Sequence, residues 1–393
     1  MTGLSERALF SDRLSLWVFV SYGVFLLGFF FFPDRPLHYK FYYAAVLLPG
    51  LFMAYRELPL LWKNGLFKLL LVWLSYQLLS GLWSDNLTRA DFSTLAGWWV
   101  QVVTFIIVTA SLVRRYPEEF DFLMRVLVAG IALLAVVSIF SWYATRPFPM
   151  SRLEPIGRID NAILAGCAYG AFALLALHFA VVSRVLPVRV LYGAAFLVLA
   201  AAILLTHSRT AMLGLLAAFI AMPFCFGRRA ALAMLVLLSM IMVVALSAFP
   251  GVFDRFYMDL HWRPLIWENV LAHIAEAPWF GHGYLSDTTV PVGRRMFQHA
   301  HSSYLGFLRD GGIAGAAIFL VMVAGFFRHI IRYGCKRAKY IVPLLVFAFV
   351  VIAPDIDRLI VRPKELWLFF WFPLALFVGI SQQEAVRDET SDS

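Results

Sequence analysis

Charged residues are scarce in this chain, and their scarcity excludes an ordinary soluble domain. Asp, Glu, Lys and Arg together make up 15% of the 393 residues, whereas about a quarter of the residues in a soluble domain are charged. Hydrophobic residues make up 62%, and the mean hydropathy is +0.79. The apolar runs are long and uniform, which excludes a membrane barrel of short alternating strands. The composition predicts an all-α integral membrane protein.

Cysteines and the common soluble-enzyme motifs are also lacking. Cys167, Cys225 and Cys335 show no pairing typical of a disulfide or a metal site. The sequence has no P-loop, no GxGxxG and no Ser-His-Asp spacing. Asp355 and Asp357 are followed at once by arginine, so they do not indicate a hard-cation site. The net charge of +9 fits contact with anionic membrane lipids, and nucleic-acid binding is not expected without a basic soluble domain.

Apolar segments of membrane-spanning length recur along nearly the whole chain. The first segment follows polar residues and lacks a small-residue cleavage site, so we interpret it as a retained span and not as a signal peptide. The predicted spans are twelve, at 14–32, 38–55, 66–83, 93–113, 119–144, 161–182, 188–206, 210–226, 230–249, 302–327, 338–353 and 366–380.

The even number of spans predicts that both termini lie on one side of the membrane. Basic clusters such as Arg114–Arg115 and Arg228–Arg229 fall on that side and predict that it is cytoplasmic. We therefore predict one polytopic membrane domain over residues 1–380, a long outer loop over about 250–301, and a disordered cytoplasmic tail over 381–393.

Arginines in the predicted outer segments indicate an anionic ligand, because the guanidinium fork suits phosphate. Arg209 lies where a helix begins, and Arg263 precedes Pro264 at the start of an amphipathic helix in the long loop. Helix N-termini themselves favour anions. Arg158 lies just before the sixth span and would assist Arg209 and Arg263 in binding the anion. Asp160 or Asn161 could cap the helix that follows, and a supporting role in the site is the other expectation for Asp160. An arginine that only reaches for lipid phosphate remains an alternative for Arg209.

Histidines mark the point where the long loop meets the tenth span. His301 is the predicted general base, because a neutral imidazole accepts a proton near pH 7 and ionisable groups at membrane depth usually mark function. The alternative is that the His301 ring only donates a hydrogen bond to a backbone carbonyl and takes no part in a reaction. We expect supporting roles for His299, for Tyr304 on the following helical face, and for Trp267 on the loop helix.

Two or three arginines beside one imidazole suit transfer from a diphosphate donor to a hydroxyl group. The cations would neutralise the leaving diphosphate, and the imidazole would take the hydroxyl proton. The same set would also suit binding of a phosphorylated lipid without any reaction. No metal ligand or cofactor is predicted.

Four motifs resemble those of the O-antigen ligase family. They are SRTAML at 208–213, RPLIWENV at 263–270, PWFGHGY at 278–284 and HAHSSYLGFLRDGGIAG at 299–315. The resemblance implies a GT-C-like glycosyltransferase with about twelve spans. It also implies transfer of O-antigen from undecaprenyl diphosphate to a sugar hydroxyl of lipid A–core, with inversion, without a metal, at the periplasmic face of the inner membrane of a Gram-negative bacterium.

The resemblance also assigns residues. It implies that His301 is the essential histidine and that Arg209 and Arg263 are the essential arginines; many relatives have Asn where this chain has Ser302. An O-antigen polymerase and a protein O-oligosaccharyltransferase use the same donor, and no residue here distinguishes their acceptors. A lipid or solute transporter is a more distant alternative, but we find no matched halves in the sequence.

Overall fold

A computed structural model of the chain describes residues 12–85, 87–222, 236, 243, 262–333 and 341–391. The described residues are mostly helical, as the composition predicts. The helices before the long loop are α1 Arg13–Gly28, α2 Arg35–Leu61 with a π-helical stretch at Tyr42–Leu47, α3 Gly65–Ser80, α4 Arg89–Arg115, α5 Pro117–Tyr143, α6 Ala162–Val182, α7 Leu186–Leu205 and α8 Arg209–Ala221. The later ones are α9 Trp262–Glu276, α10 Ser303–Tyr333, α11 Ile341–Val351 and α12 Phe372–Ser391, which follows a π-helical turn at Trp367–Trp371.

Seven helices of the described residues are long and apolar enough to cross a membrane. They are α2, α4, α5, α6, α7, α10 and the helix that α3 forms with the following turn, Gly65–Trp83. Four further apolar helices are shorter, namely Arg13–Gly28, Arg209–Ala221, Ile341–Val351 and Trp367–Gln383. Apart from residues 236 and 243, the span predicted at 230–249 lies outside the described residues, so the count of twelve stays a prediction.

The last helix continues past the predicted end of the membrane domain. Ser381 is buried, and Asn64 donates a hydrogen bond of 2.8 Å from Nδ2 to its Oγ. The amide oxygen of Asn64 also accepts from the backbone N–H of Leu66 at 2.9 Å and so caps α3. One polar residue therefore starts α3 and joins it to α12, which runs to Ser391 and not to residue 380.

Helix α6 lies at the centre of the bundle because small residues let its neighbours approach closely. Fifteen of its 21 residues are buried. A Cβ at Gly166 would lie 2.7 Å from the hydroxyl of Thr206 and 2.8 Å from Cβ of Ser208. Ser208 caps α8 by accepting from the N–H of Ala211 at 3.3 Å. The close approach at Gly166 thus positions the first turn of α8, which begins at Arg209.

Helix α9 matches the helix predicted in the long loop, but its buried face differs. Ile266, Val270 and Ile274 are buried, whereas Leu265 and Leu271 are exposed. Helical spacing in the sequence predicts one apolar side made of Leu265, Trp267, Val270, Leu271 and Ile274. That prediction is wrong for Leu265 and Leu271, which are exposed. The buried side follows a strict spacing of four residues because α9 packs on a narrow surface formed by the following hairpin and the start of α10.

That hairpin is a departure from the predicted all-α fold. Strands β1 Val290–Val292 and β2 Arg295–Phe297 pair antiparallel, with Val290 opposite Phe297 and Val292 opposite Arg295. Gly293, with a φ of +60°, begins the two-residue turn between them. Strands of three residues are too short to show alternation in the sequence.

The PWFGHGY segment enters a break in α10. Gly312 has φ 61° and ψ −165°, a conformation that essentially only glycine adopts. The N–H groups of His282 and Gly283 donate to the carbonyls of Arg309 and Asp310 at 2.8 and 2.9 Å. In return, the N–H groups of residues 313 and 314 donate to the carbonyls of residues 278 and 279 at 2.8 and 3.1 Å. The freed helical groups are therefore satisfied by the loop.

The first half of α10 also packs closely against α3. Gly311 and Gly315 face the ring of Tyr76, whose Cε1 would lie 3.0 and 2.8 Å from a Cβ at each position. The hydroxyl of Tyr76 donates to the carbonyl of Gly311 at 2.6 Å. This small-residue pattern therefore makes a close helix contact. This contact fixes the position of α10, which begins just after His301.

Candidate active site

A cavity of about 610 Å³ opens between α6, α9, the hairpin and the segment that follows α11. Its ionisable lining comprises Arg35, Asp160, Arg263, His299, His301, Asp355, Asp357, Arg358, Lys364 and Glu365. Four residues predicted for the site are in this set: Asp160, Arg263, His299 and His301. Among the described residues, the other four, Arg158, Arg209, Trp267 and Tyr304, lie outside the lining.

The backbone holds His301 in an uncommon conformation. Its φ is +50°, in the left-handed region that residues other than glycine seldom adopt. Its N–H donates to Nδ1 of His299 at 3.1 Å, and the two ring centroids are 4.1 Å apart. The indole N–H of Trp267 donates to the carbonyl of Ala300 at 3.2 Å. Trp267 therefore anchors the chain directly before His301, which fits the supporting role predicted for it.

Both histidines are biased toward the neutral form. Burial lowers the pKa of His301 below 6.5; the Asp355 carboxylate opposes this effect and the Arg263 guanidinium adds to it. Burial and the neighbouring His301 lower the pKa of His299 to about 4. A neutral His299 also fits its role as acceptor from the His301 N–H. At pH 7, His301 is therefore able to accept a proton.

Asp355 joins two of the segments that carry predicted arginines. Nη2 of Arg263 donates to Oδ1 of Asp355 at 2.7 Å, and the Thr210 hydroxyl donates to Oδ2 of the same carboxylate. Thr210 directly follows Arg209 in the first turn of α8. The structure thus brings the start of α8 and the start of α9 to one carboxylate. The pairing of Asp355 with Arg263 was not predicted, because 92 residues separate them.

Arg158 lies behind the cavity wall, in a buried position. Its Nη2 donates to Oε1 of Glu365 at 3.2 Å and to the carbonyl of Pro363 at 3.0 Å. Its Nη1 lies 3.0 Å from Nδ1 of His38. Both Nη atoms of Arg158 thus interact with protein groups. Arg158 is connected to the cavity through Glu365, which lines it.

Asp160 lies at the cavity rim and pairs with Arg35. The cap of α6 is instead Asn161, whose side-chain oxygen accepts from the N–H of Ile163 at 2.8 Å and of Leu164 at 3.2 Å. Of the two capping alternatives, the structure therefore selects Asn161. Asp160 is left as a surface ion-pair partner at the cavity mouth.

Tyr304 faces the bundle and not the cavity. Its hydroxyl donates to the carbonyl of Phe349 at 2.8 Å, and its ring packs on Phe307 and Phe319 with centroids 6.0 and 5.9 Å away. Its contribution to the site is the fixed position of α10. The sequence predicts that Tyr304 and His301 share one face of the helix. His301 instead precedes the helix in a left-handed conformation, so the two residues do not share a helical face.

A buried ionic network lies next to the cavity and supplies Asp357 and Arg358 to its lining. Arg309 donates from Nε to Oδ1 of Asp310 at 2.8 Å. It also binds both oxygens of Asp357, at 3.2 and 2.9 Å. Arg358 completes the network by donating from Nε to Oδ2 of Asp310 at 2.9 Å. The negative charges of two carboxylates thus balance the positive charges of two guanidiniums.

Lys364 is a further cationic side chain of the cavity. Burial lowers the pKa of Lys364. The Glu365 carboxylate opposes this lowering, and the Arg35 guanidinium adds to it. The charged form of Lys364 is thus disfavoured by its surroundings, and a phosphate oxygen beside it would stabilise that form. The sequence did not single out Lys364, because an isolated Lys between Pro363 and Glu365 has no distinctive pattern.

The carboxylates of the cavity are already paired with cations. Asp355 accepts from Arg263, and Asp357 accepts from Arg309 through both oxygens. A hard cation would compete with these guanidiniums for the same oxygens. The arrangement instead presents neutral imidazoles beside cationic groups, which suits proton abstraction next to an anion.

Comparison with known proteins agrees with the motifs. Residues 194–320 match the protein-family model described as "O-Antigen ligase". This range includes Arg209, Arg263 and His301. The chain is also 27% identical over 385 residues to an O-antigen ligase of Pseudomonas aeruginosa, covering 95% of this chain and 93% of that protein. The resemblance inferred from the four motifs is thus confirmed: all four lie within the matched range, and the chain is similar to an O-antigen ligase over nearly its full length.

Proposed function

We propose that this protein transfers O-antigen polysaccharide from undecaprenyl diphosphate to a sugar hydroxyl of lipid A–core and so completes lipopolysaccharide. The observation that carries the proposal is the cavity in which the neutral His301 and the cationic Arg263 occur together. The similarity to an O-antigen ligase supports the same glycosyl transfer. An imidazole base and a guanidinium are what a hydroxyl nucleophile and a diphosphate leaving group require.

In the proposed reaction, a ring nitrogen of His301 takes the proton from the acceptor hydroxyl. The hydroxyl oxygen forms a bond to the anomeric carbon, and the bond from that carbon to the diphosphate oxygen breaks with inversion. Arg263 and Arg209 stabilise the charge on the departing undecaprenyl diphosphate. Arg158 assists indirectly by holding Glu365 in the cavity wall. The step balances without a redox partner or a metal.

We place the reaction at the periplasmic face of the inner membrane of a Gram-negative bacterium, with both termini cytoplasmic. The apolar helices support a multi-pass membrane protein. A polyprenyl donor is held in the bilayer, so a cavity at the ends of the membrane helices would meet its diphosphate without extracting the lipid. The acceptor, lipid A–core, is also membrane-anchored.

Reconstitution with defined substrates tests the reaction, the acceptor and the need for a metal together. Purified protein in proteoliposomes receives lipid-linked O-antigen with lipid A–core, with an acceptor peptide, or alone, each with and without a chelator. We expect glycan on lipid A–core in both conditions. Growth of the lipid-linked glycan alone would identify a polymerase, and glycan on the peptide would identify a protein O-oligosaccharyltransferase. Movement of the donor without bond formation would identify a transporter.

The lowered pKa of His301 predicts the pH dependence of transfer. A base acts in its neutral form, so the rate should fall as the pH drops through its pKa, and this acid limb should lie below pH 6.5. The measurement is the rate at subsaturating substrate from pH 4.5 to 8, with a check that the protein stays folded. An acid limb above pH 6.5 would contradict the neutral-base assignment.

Replacing Lys364 should weaken donor binding more than it slows the reaction. Lys364→Ala removes a cavity cation, and we expect the donor KM to rise about tenfold, the size of one lost charge-assisted hydrogen bond. Lys364→Arg should restore most of the affinity. The control is Lys68→Ala, which removes an exposed cation of α3 outside the cavity lining. An unchanged KM in Lys364→Ala would remove Lys364 from the donor site.

A further inference from the structure

The end of α9 and the segment that follows it bring three metal-ligating side chains together outside the cavity. They are His273, Glu276 and His282. A ring nitrogen of each histidine and a carboxylate oxygen of Glu276 lie within 4.8 Å of one another. None of the three lines the cavity, and the proposed transfer reaction does not use them.

The hydrogen bond of His282 fixes which of its nitrogens is available. Its Nε2 lies 2.8 Å from the carbonyl oxygen of His273. A carbonyl oxygen only accepts, so Nε2 carries the proton and Nδ1 of the neutral ring keeps its lone pair. Histidines that ligate metals usually donate their other N–H to a carbonyl or a carboxylate in this way. In this tautomer, Nδ1 is the nitrogen of His282 that can bind a metal.

His273 and Glu276 complete a set of three. Nδ1 of His273 lies 3.0 Å from Oε2 of Glu276, one helical turn along α9. Ligands about 2 Å from a tetrahedral zinc ion are roughly 3.3 Å apart, so a metal would fit between these two atoms in place of the shared proton. The His273 and His282 rings are stacked with centroids 3.8 Å apart, which keeps the two imidazoles next to each other.

We propose that His273, Glu276 and His282 form a binding site for a transition-metal dication such as Zn²⁺. Two imidazole nitrogens, one carboxylate oxygen and one water would complete a tetrahedron. The half-exposed position leaves room for that water, because the side chains of His273 and Glu276 are 43% and 68% exposed. Nitrogen ligands select such an ion over Mg²⁺ or Ca²⁺, which prefer oxygen.

The ion would act as a clamp on α9. Arg263 lies in the first turn of this helix and His273 in its last turn. His282 belongs to the segment that docks into the break of α10, through its N–H to the carbonyl of Arg309. A metal shared by His273 and His282 would therefore fasten the end of α9 to α10. Its effect is expected on stability, while the transfer chemistry stays in the cavity.

Zinc titration of the full-length protein tests the site. The protein is purified in detergent without a polyhistidine tag, stripped with a chelator, dialysed and titrated with ZnCl₂ by calorimetry. We expect one zinc per chain and a higher thermal unfolding midpoint. Glu276→Gln and His282→Gln should each weaken zinc binding at least about tenfold and abolish the thermal shift. MgCl₂ should produce neither effect.

The controls separate this site from the other imidazole pair of the long loop. His299→Gln and His301→Gln change the cavity and should leave zinc binding at the wild-type affinity. Glu276 is largely exposed, so its replacement by the similarly sized Gln spares the fold and keeps the test decisive. Zinc binding that is absent from the wild type, unchanged in Glu276→Gln and His282→Gln, or lost in His299→Gln or His301→Gln would overturn the proposal.

Discussion

Replacing His301 by asparagine is expected to reduce transfer at least about 100-fold, which is the lower range for loss of a general base. Asparagine suits this test because it tolerates the left-handed conformation of residue 301, whereas alanine would add backbone strain. The variant should still insert into the membrane and bind the lipid-linked donor, because Arg263 and Lys364 remain. The measurement is single-turnover transfer in proteoliposomes, together with donor binding.

His207 offers a matched control for this variant. It is also a histidine with a positive φ, 51°, and among the described residues it lies outside the cavity lining. His207→Asn makes the same chemical change in the same backbone conformation, and we expect transfer near the wild-type rate. If the folded His301→Asn protein also transfers normally, His301 is not the base.

Replacing Gly312 by alanine is expected to disrupt the junction between the long loop and α10. Its φ and ψ alone would cost an alanine roughly 1–3 kcal/mol. In addition, a Cβ there would lie 2.4 Å from the carbonyl carbon and oxygen of Trp279. These are backbone atoms, so no change of side-chain rotamer can relieve the collision. We expect a lower thermal unfolding midpoint, less folded protein, and loss of transfer because His301 lies just before the start of the same helix.

Gly293 separates the two causes of this effect. It has nearly the same φ, +60°, but a Cβ there would meet no atom within 4 Å. Gly293→Ala therefore tests conformational strain without the collision, and it should lower the midpoint by much less than Gly312→Ala. Equal losses in the two variants would show that the close approach of the 278–284 segment to α10 contributes nothing.

The helical class and the presence of Arg263, His299 and His301 in one region of the chain's outer segments were predictable because their signals are local. Long apolar runs identify membrane helices, and His301 and Arg263 stand at recognisable helix starts. The motif PWFGHGY could be recognised in the sequence, but its structural role could not be inferred. Only the structure shows that Gly281 and Gly312 let two backbones interlock, because a Cβ at either would meet the other segment at 2.6 Å or less.

The sequence could not supply partners that lie far apart along the chain. Asp355 and Asp357 were visible as carboxylates, yet their guanidinium partners are 92 and 48 residues away. Arg158 was predicted to contact the donor, but its partner Glu365, 207 residues away, holds it behind the wall. The hairpin was missed because its strands are short, and His273 and His282 were missed as a pair because a helix end lies between them.

The neutral network around Arg309 bears on how the chain is made. Asp357 is synthesised 48 residues after Arg309, so α10 meets the translocon before that partner exists. Until then Arg309 has its neighbour Asp310, and the two together add no net charge to the inserting helix. Asp357 and Arg358 arrive later as an equally balanced pair. Each half is thus electrically balanced before the two halves meet, and the network beside the cavity is completed only when the segment that follows α11 docks.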